Sequence, residues 1–191
     1  MGIISKMIEK RSTLTEPSTL FLNMFNGKAK SGVQVDEMRA MQATAVFACV
    51  RIISETLATL PFPVYRRLKP RGKERARDHH LYYLLQEKPN DEMTSFTFRE
   101  TMTAHLCLWG NAYAEIEYDG GGRPRALWPL MPNQTTPKRD ERTGRLVYET
   151  TLPDGQQVTL DNSRVLHVPG LSLNGLKGLS PIAMSREAIG L

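Results

Sequence analysis

Residues 66–77, RRLKPRGKERAR, carry the densest chemistry in the chain. Arg66, Arg67, Lys69, Arg71, Lys73, Arg75 and Arg77 set seven cations against the single carboxylate of Glu74, a local balance of +6. The whole chain has a formal net charge of +5, so everything outside this run sums to −1 (+5 minus +6). Basicity is therefore a property of one loop, not of the whole surface. Guanidinium and ammonium groups at this density can neutralise phosphates or an acidic protein patch, and backbone phosphate contacts carry no base sequence. No aromatic residue interrupts the run, so base stacking is unsupported. The same residues also suit a solvated hairpin tip, and composition alone leaves that choice open.

The other constellations fall short of a site. The stretch from Gly170 to Gly178, GLSLNGLKG, invites comparison with a phosphate loop. Such a loop needs Gly-Lys-Ser/Thr together, so that the lysine meets the phosphates and the hydroxyl meets magnesium. Here Leu176 separates Gly175 from Lys177, and no hydroxyl follows the lysine. The stretch reads instead as a flexible connection between a sheet and the helix after it. The histidines are His79, His80, His105 and His167. A metal site requires converging ligands, yet His105 and Cys107 are two apart and face away from each other on a helix. Structural histidines are expected. No Gly-x-Ser-x-Gly elbow is present, and Glu115 and Glu117 read as a solvated strand face. The chain is expected to be no enzyme and to need no cofactor or metal.

These groups must be placed by an ordinary globular framework. The 191 residues are 40% hydrophobic and 24% charged, which suits one domain with a real core. No apolar run approaches the roughly 20 residues needed to span a bilayer, so no membrane partner is expected. The start, MGIISKMIEKRS, is too short and too charged for a secretory signal, and Lys6 stands where a myristoylation site wants Ser or Thr. Cys49 and Cys107 fall in predicted helices near apolar faces, and are expected as buried free thiols suited to a reducing compartment.

Three segments follow from the punctuation. Residues 1–40 read as an arm broken by Pro17, Gly27 and Gly32, with a short amphipathic helix at its start. Residues 41–179 form an α+β domain: a small antiparallel sheet and hairpins packed by several helices. Residues 180–191 open a helix, with Ser180 as its N-cap and Pro181 at the first position. That pattern reaches Leu191 with no C-cap and reads as a helix cut short. Within the domain, Val46, Val50, Ile53, Leu57 and Leu60 step by four and three along one helix face, which Pro61 ends. Phe62 to Leu68 suits a strand, and Asp78 is placed to cap a short helix. A second long helix starts at Thr94 or Ser95 and stops at Gly110, with Phe98, Met102, Leu106 and Trp109 as its stripe. Residues 112–118 and 125–130 form a hairpin about Asp119-Gly120-Gly121-Gly122. Strands at 135–139, 145–151, 157–160 and 165–168 should complete a meander. Val50, Ile53, Leu57, Phe98, Met102, Leu106 and Trp109 are expected to pack as one core.

The wording of these elements also carries a resemblance. FRETMTAHLCLWGNAYAEI resembles the wing-region signature of tailed-phage portal proteins of the HK97-like family. AVFACVRIISETLATLPFPVY, HLYYLLQEKPN and VLHVPGLSLNGLKGLSPIAMSREAIGL are similar to further family segments, in family order over residues 40–191. The resemblance implies an N-terminal arm and wing without the stem, clip and crown regions. It implies a ring homo-oligomer, dodecameric in the family, that passes double-stranded DNA without reading it during packaging and ejection. It further implies terminase large subunit, major capsid protein and head–tail connector proteins as partners. The implied location is the virion's portal vertex, with assembly in the host cytoplasm. The competing classes are a phage-encoded DNA-processing enzyme, which would need a carboxylate cluster for magnesium, and a non-viral basic DNA-binding module suggested by a pI near 9.3.

Overall fold

A computed structural model describes residues 36–152 and 154–189. The expected amphipathic helix at the start, and the arm as far as residue 35, lie outside these. The described chain is an α+β unit. Helix α1 (Glu37–Ala40) precedes α2 (Thr44–Thr59), the hairpin β1 (Tyr65–Arg67) and β2 (Lys73–Arg75), α3 (His80–Gln86) and α4 (Ser95–Trp109). Strands β3 (Asn111–Tyr118) through β8 (Val165–Pro169) follow, with β4 at Pro124–Leu130, β5 at Thr135–Arg139, β6 at Leu146–Thr151 and β7 at Gln157–Asp161.

Local chemistry explains the boundaries of α4. The Thr94 hydroxyl accepts from the Thr97 amide at 3.2 Å, satisfying one of the exposed donors of the first turn. At the other end Gly110 has φ +68°, and its amide donates to the Leu106 carbonyl at 2.9 Å. The short helix α3 is capped one residue later than expected. His79 Nδ1 accepts from the Leu81 amide at 3.2 Å. Asp78 is engaged elsewhere, by the Arg66 guanidinium at 2.6 Å.

The strands do not form one meander. They pair in the orders β4-β3-β8 and β5-β6-β7, all antiparallel. The last strand leaves the meander to sit beside β3. Ala112, Tyr113 and Ala114 of β3 are fully buried, and a buried strand needs backbone partners on both edges. The crossing is a 3₁₀ turn, Asn162–Arg164, in which Asp161 Oδ1 accepts from the Ser163 amide at 2.9 Å.

The core is divided where one core was expected. Phe98 and Met102 pack on Leu84, Ala112, Ala114 and Leu127, with Leu106 half-buried against them. Val50 belongs to a second cluster with Ala40, Leu108 and Ile182, and Trp109 leans on that one. Tyr113, Tyr148, Leu160 and Val165 form a third, between the two sheets. Ile53 and Leu57 join none of them and are about half exposed. The stripe that α2 turns inward is Val50, Ser54 and Ala58, spaced four apart. These small side chains let α2 lie close on α4, and Ile53 and Leu57 lie about 100° round the helix from Ser54 and Ala58. Cys49 is exposed for the same reason, one step from Val50, while Cys107 is half-buried and its thiol is pushed up by burial.

Ala40 is buried, so the end of the expected arm packs on the body. The helix expected from Ser180 appears as two short pieces, α5 (Pro181–Met184) and α6 (Arg186–Ile189), divided at Ser185. Ser180 Oγ accepts from the Ala183 amide at 3.1 Å, as an N-cap should. The Ser185 amide is shared between the carbonyls of Pro181 and Ile182, the tightened closure of a helix end.

Candidate nucleic-acid and partner interface

The seven cations of residues 66–77 stand on a two-stranded hairpin that lies outside both larger sheets. Its register pairs Tyr65 with Arg75, Arg66 with Glu74, and Arg67 with Lys73. Directly opposed residues share a face, and neighbours along a strand alternate. One face therefore carries Tyr65, Arg67, Lys73 and Arg75, and the other carries Arg66 and Glu74. All six strand residues are exposed. Lys69 and Arg71 occupy the turn, closed by the Leu68 amide on the Gly72 carbonyl at 3.0 Å. Arg77 follows Ala76, which is buried and anchors the hairpin through its amide to the Val64 carbonyl at 2.9 Å.

The two faces differ electrostatically. Arg66 lies 2.6 Å from Asp78 and 3.6 Å from Glu74. The hydrogen bond from Arg66 holds the Asp78 carboxyl below its usual range, and the same bond raises the guanidinium. Counting Asp78 with the run lowers the local balance from +6 to +5 (+6 minus 1). Arg67, Lys73 and Arg75 form no ion pair among the described residues, and Lys73 Nζ sits 4.8 Å over the Tyr65 ring. Tyr65, just before the basic run, thus supports the cationic face as an aromatic floor.

The loop from Gly170 to Gly178 is locked, not flexible. Asn174 Oδ1 accepts from the Leu176 and Lys177 amides at 2.9 and 3.0 Å. Asn111 Oδ1 accepts from the Gly178 amide at 2.7 Å, and Asn111 Nδ2 donates back to the Gly178 carbonyl at 2.9 Å. The amides of Leu176, Lys177 and Gly178, on either side of and at the lysine, are thus already occupied. A Cβ on Gly178 would lie 1.9 Å from the Gly110 carbonyl oxygen, so the close approach requires glycine.

His105 and His167 are embedded in the framework, while His80 is exposed and stacks on the helix cap His79. Burial pushes His105 and His167 down to about 4. His167 stacks on Tyr113 and lies 3.2 Å from both the Tyr148 hydroxyl and Asn111 Oδ1. Glu115 takes Arg164 at 2.9 Å, and Glu117 takes the Trp128 indole at 3.0 Å, so both carboxylates have structural partners. No group of three or more metal-ligating side chains occurs among the described residues.

One surface was missed by the sequence reading. Ile52, Ile53, Leu57, Leu60 and Phe62 form an exposed apolar face along α2 and its exit. The signal was present: Ser54 and Ala58, small residues at four-residue spacing, mark the side that can approach another helix closely.

The family described as phage portal protein matches residues 44–191. The chain is 31% identical over 158 residues to the portal protein of Enterobacteria phage HK97, covering 82% of this chain and 37% of that protein. It is 35% identical over 174 residues to the probable portal protein of Streptomyces phage phiC31, covering 85% of this chain and 37% of that one. It therefore spans little more than a third of these relatives. Among solved structures, the neck of a native gene transfer agent particle computed with C12 symmetry superposes with a TM-score of 0.64 at 19% identity, covering 99% of this chain and 47% of that one.

Proposed function

The chain belongs to the phage portal protein family, and from that premise we propose that it is the arm and wing part of a portal subunit. The observation that carries the reading is the family match over residues 44–191, joined to a fold shared with a chain in the neck of a gene transfer agent particle, a neck computed with C12 symmetry. Copies of the subunit form a closed ring at one capsid vertex. The ring admits double-stranded DNA during packaging, retains it and releases it at infection. It docks the terminase large subunit, sits among major capsid proteins and receives the head–tail connector proteins. The role is structural rather than catalytic, and the assembly passes from host cytoplasm into the virion. Cyclic symmetry requires each copy to offer two different, complementary surfaces. In sequence order, residues 1–40 are the arm, 41–179 the wing and 180–191 the approach to the stem.

The basic hairpin has a place in this reading. Arg67, Lys73 and Arg75, with Lys69 and Arg71 at the turn, meet DNA phosphates or an acidic surface of a docking partner. Such contact ignores sequence, which suits a channel for a whole genome. Electron microscopy of the whole protein tests the central claim. Rings with a central channel support it, and compact particles showing metal-dependent DNA cleavage overturn it. Replacing four of the hairpin cations by Gln should leave ring formation intact while lowering packaging or docking, with a defect that is largest at low salt and shrinks as salt screens the contact. Normal phage yield from that variant removes the hairpin from the proposal.

A further inference from the structure

The β1–β2 hairpin is charged on one side only. Arg67, Lys73 and Arg75 share its open face, while Arg66 on the other side is countered by Asp78 and Glu74. Lys69 and Arg71 are exposed at the turn. A strand rises about 3.3 Å per residue, so the three paired positions make a cationic strip roughly 10 Å long before the turn extends it. Apolar groups are scarce on this strip. Tyr65, 46% exposed, lies under Lys73 Nζ, and Leu68, 39% exposed, lies beside Gly72. The hairpin is anchored at its base by buried Ala76, and its six strand residues are all exposed.

We propose, on the basis of the portal reading, that this open face seats the phosphate backbone of duplex DNA, side-on and without contact to bases, and that an acidic protein is not its ligand. Three observations choose between the two ligands. A docking site for a protein has an apolar centre from which charges are depleted, and here the centre of the face is itself charged. The charge density also matches: each strand of a duplex carries one phosphate per about 3.4 Å of axis, about three along the strip, where Arg67, Lys73 and Arg75 stand. Finally, single-stranded nucleic acid is held by successive aromatic platforms, and the strip offers one ring, already covered by Lys73. The one-sided charge sets the orientation. A ribbon lodged inside a groove would meet phosphates on both flanks, whereas the rear of this hairpin is neutralised by Asp78 and Glu74. Contact therefore runs along a backbone and carries no sequence.

Fluorescence anisotropy with two blunt duplexes of unrelated sequence tests the assignment. The full chain is compared with a triple variant, Arg67→Gln, Lys73→Gln and Arg75→Gln, whose circular dichroism spectrum should be unchanged because all three positions are exposed. Cations elsewhere act equally in both proteins, so the difference belongs to the hairpin. The slope of log affinity against log salt should be shallower in the variant by about 2.7, three phosphates at about 0.9 each. Between about 50 and about 200 mM salt the unaltered chain should therefore lose about 40-fold more affinity than the variant. Both duplexes should bind alike. A second variant, Arg67→Lys with Arg75→Lys, keeps the charge and should keep the slope. Poly-glutamate at equal charge should displace the duplex poorly, since its charges are less dense. Four results overturn the proposal: no binding by the unaltered chain at about 50 mM salt, equal slopes in the chain and the triple variant, efficient displacement by poly-glutamate, or tighter binding of oligo(dT) than of duplex that Tyr65→Leu abolishes. Electron microscopy of the whole protein keeps the two readings apart. Rings in a triple variant that binds DNA as the unaltered protein does would leave the portal reading standing and remove this contact alone.

Discussion

Helices Thr44–Thr59 and Ser95–Trp109 lie against each other, yet they are buried in opposite ways. The second turns large side chains inward on two sides: Phe98 and Met102 toward the sheet, Leu108 toward Val50 and Ile182. The first turns small ones inward, Ser54 and Ala58, and leaves Ile52, Ile53 and Leu57 outside. The same helical spacing of apolar residues thus produces a central helix in one case and a flank in the other. What separates them is the number of neighbours available within the chain. An apolar face with none among the described residues stays exposed.

The largest effect should come from the joint that fixes the end of the central helix. A Cβ on Gly110 would lie 1.9 Å from the Leu179 carbonyl oxygen, at a φ of +68° that side chains rarely adopt. Gly110→Ala combines strain with a backbone collision, and should cost about 4 kcal/mol or more. Thermal denaturation should show a greatly lowered or absent cooperative transition. A nearly unchanged midpoint would mean that the loop can retreat, and that the central helix is less fixed than the flank.

Next comes a paired substitution that addresses the comparison directly. Met102→Ala removes a buried side chain beside Leu84 and Leu127, and should cost roughly 2–5 kcal/mol in urea denaturation. Leu57→Ala should cost less than about 1 kcal/mol in the isolated monomer, because the side chain is already half in water. Equal costs would erase the distinction between the helices. Ala58→Leu sharpens it from the other side: a larger residue at the fully buried crossing should cost about 1–3 kcal/mol by overpacking.

Much of this framework was legible in the sequence, for reasons that particular residues make plain. The cap at Thr94, the stop at Gly110, the turn at Asp119-Gly120-Gly121-Gly122 and five of the strands depend on local rules that short windows carry. What escaped depends on distant partners. Nothing within residues 165–169 says that they pair with β3 rather than β7. That pairing follows from a fully buried strand with an edge to fill. Asp78 was a plausible cap until Arg66, twelve residues away, took its carboxylate. The 170–178 loop looked flexible because Asn111, its main partner, lies far off in sequence. For the interface, the run of cations was visible, but its division into a neutralised face and an open face required the hairpin register.

A moderate, pH-dependent effect concerns His105, buried on the central helix with its ring edge-on to Trp109 at 5.6 Å. Burial lowers its pKa from 6.5 to about 4. Between those values the unfolded chain takes up a proton and the folded one does not, so stability falls as pH drops from about 6.5 to about 4. Above about 6.5 the residue adds no pH dependence. The loss attributable to His105 approaches 3 kcal/mol at the acid end. His167 is pushed to about 4 as well and contributes over the same window. His105→Gln should therefore remove about half of the acid slope in denaturation midpoints measured from pH 7 to pH 4. An unchanged slope would place the acid sensitivity elsewhere.

The smallest effects on stability belong to the basic hairpin, where the comparison reappears as two faces of one element. Arg67, Lys73 and Arg75 point to one side, without an acidic partner among the described residues. Arg66 points to the other and is engaged by Asp78 and Glu74. Changing any of the first three to Gln should leave the thermal midpoint nearly where it was, because all three are exposed without an ion pair among the described residues, and the Lys73 contact with the exposed Tyr65 ring is worth only about 0.5–1 kcal/mol. If the hairpin meets DNA, each such change should weaken binding uniformly across sequences and reduce the slope of log affinity against log salt by about 1. Arg66→Gln should do less, since its charge is already countered within the chain. The Asp78 carboxyl is held below its usual range by Arg66, so this neutralisation persists through mild acid and is lost only when pH falls through the depressed value. At that point Arg66 becomes available, and binding by the unaltered chain should gain a contact that Arg66→Gln lacks. Filter binding to duplex DNA at several salt concentrations measures all four variants together. Equal losses from the two faces would show that the ion pairs of Arg66 open at no cost, and that the hairpin acts as a diffuse charge with no preferred side.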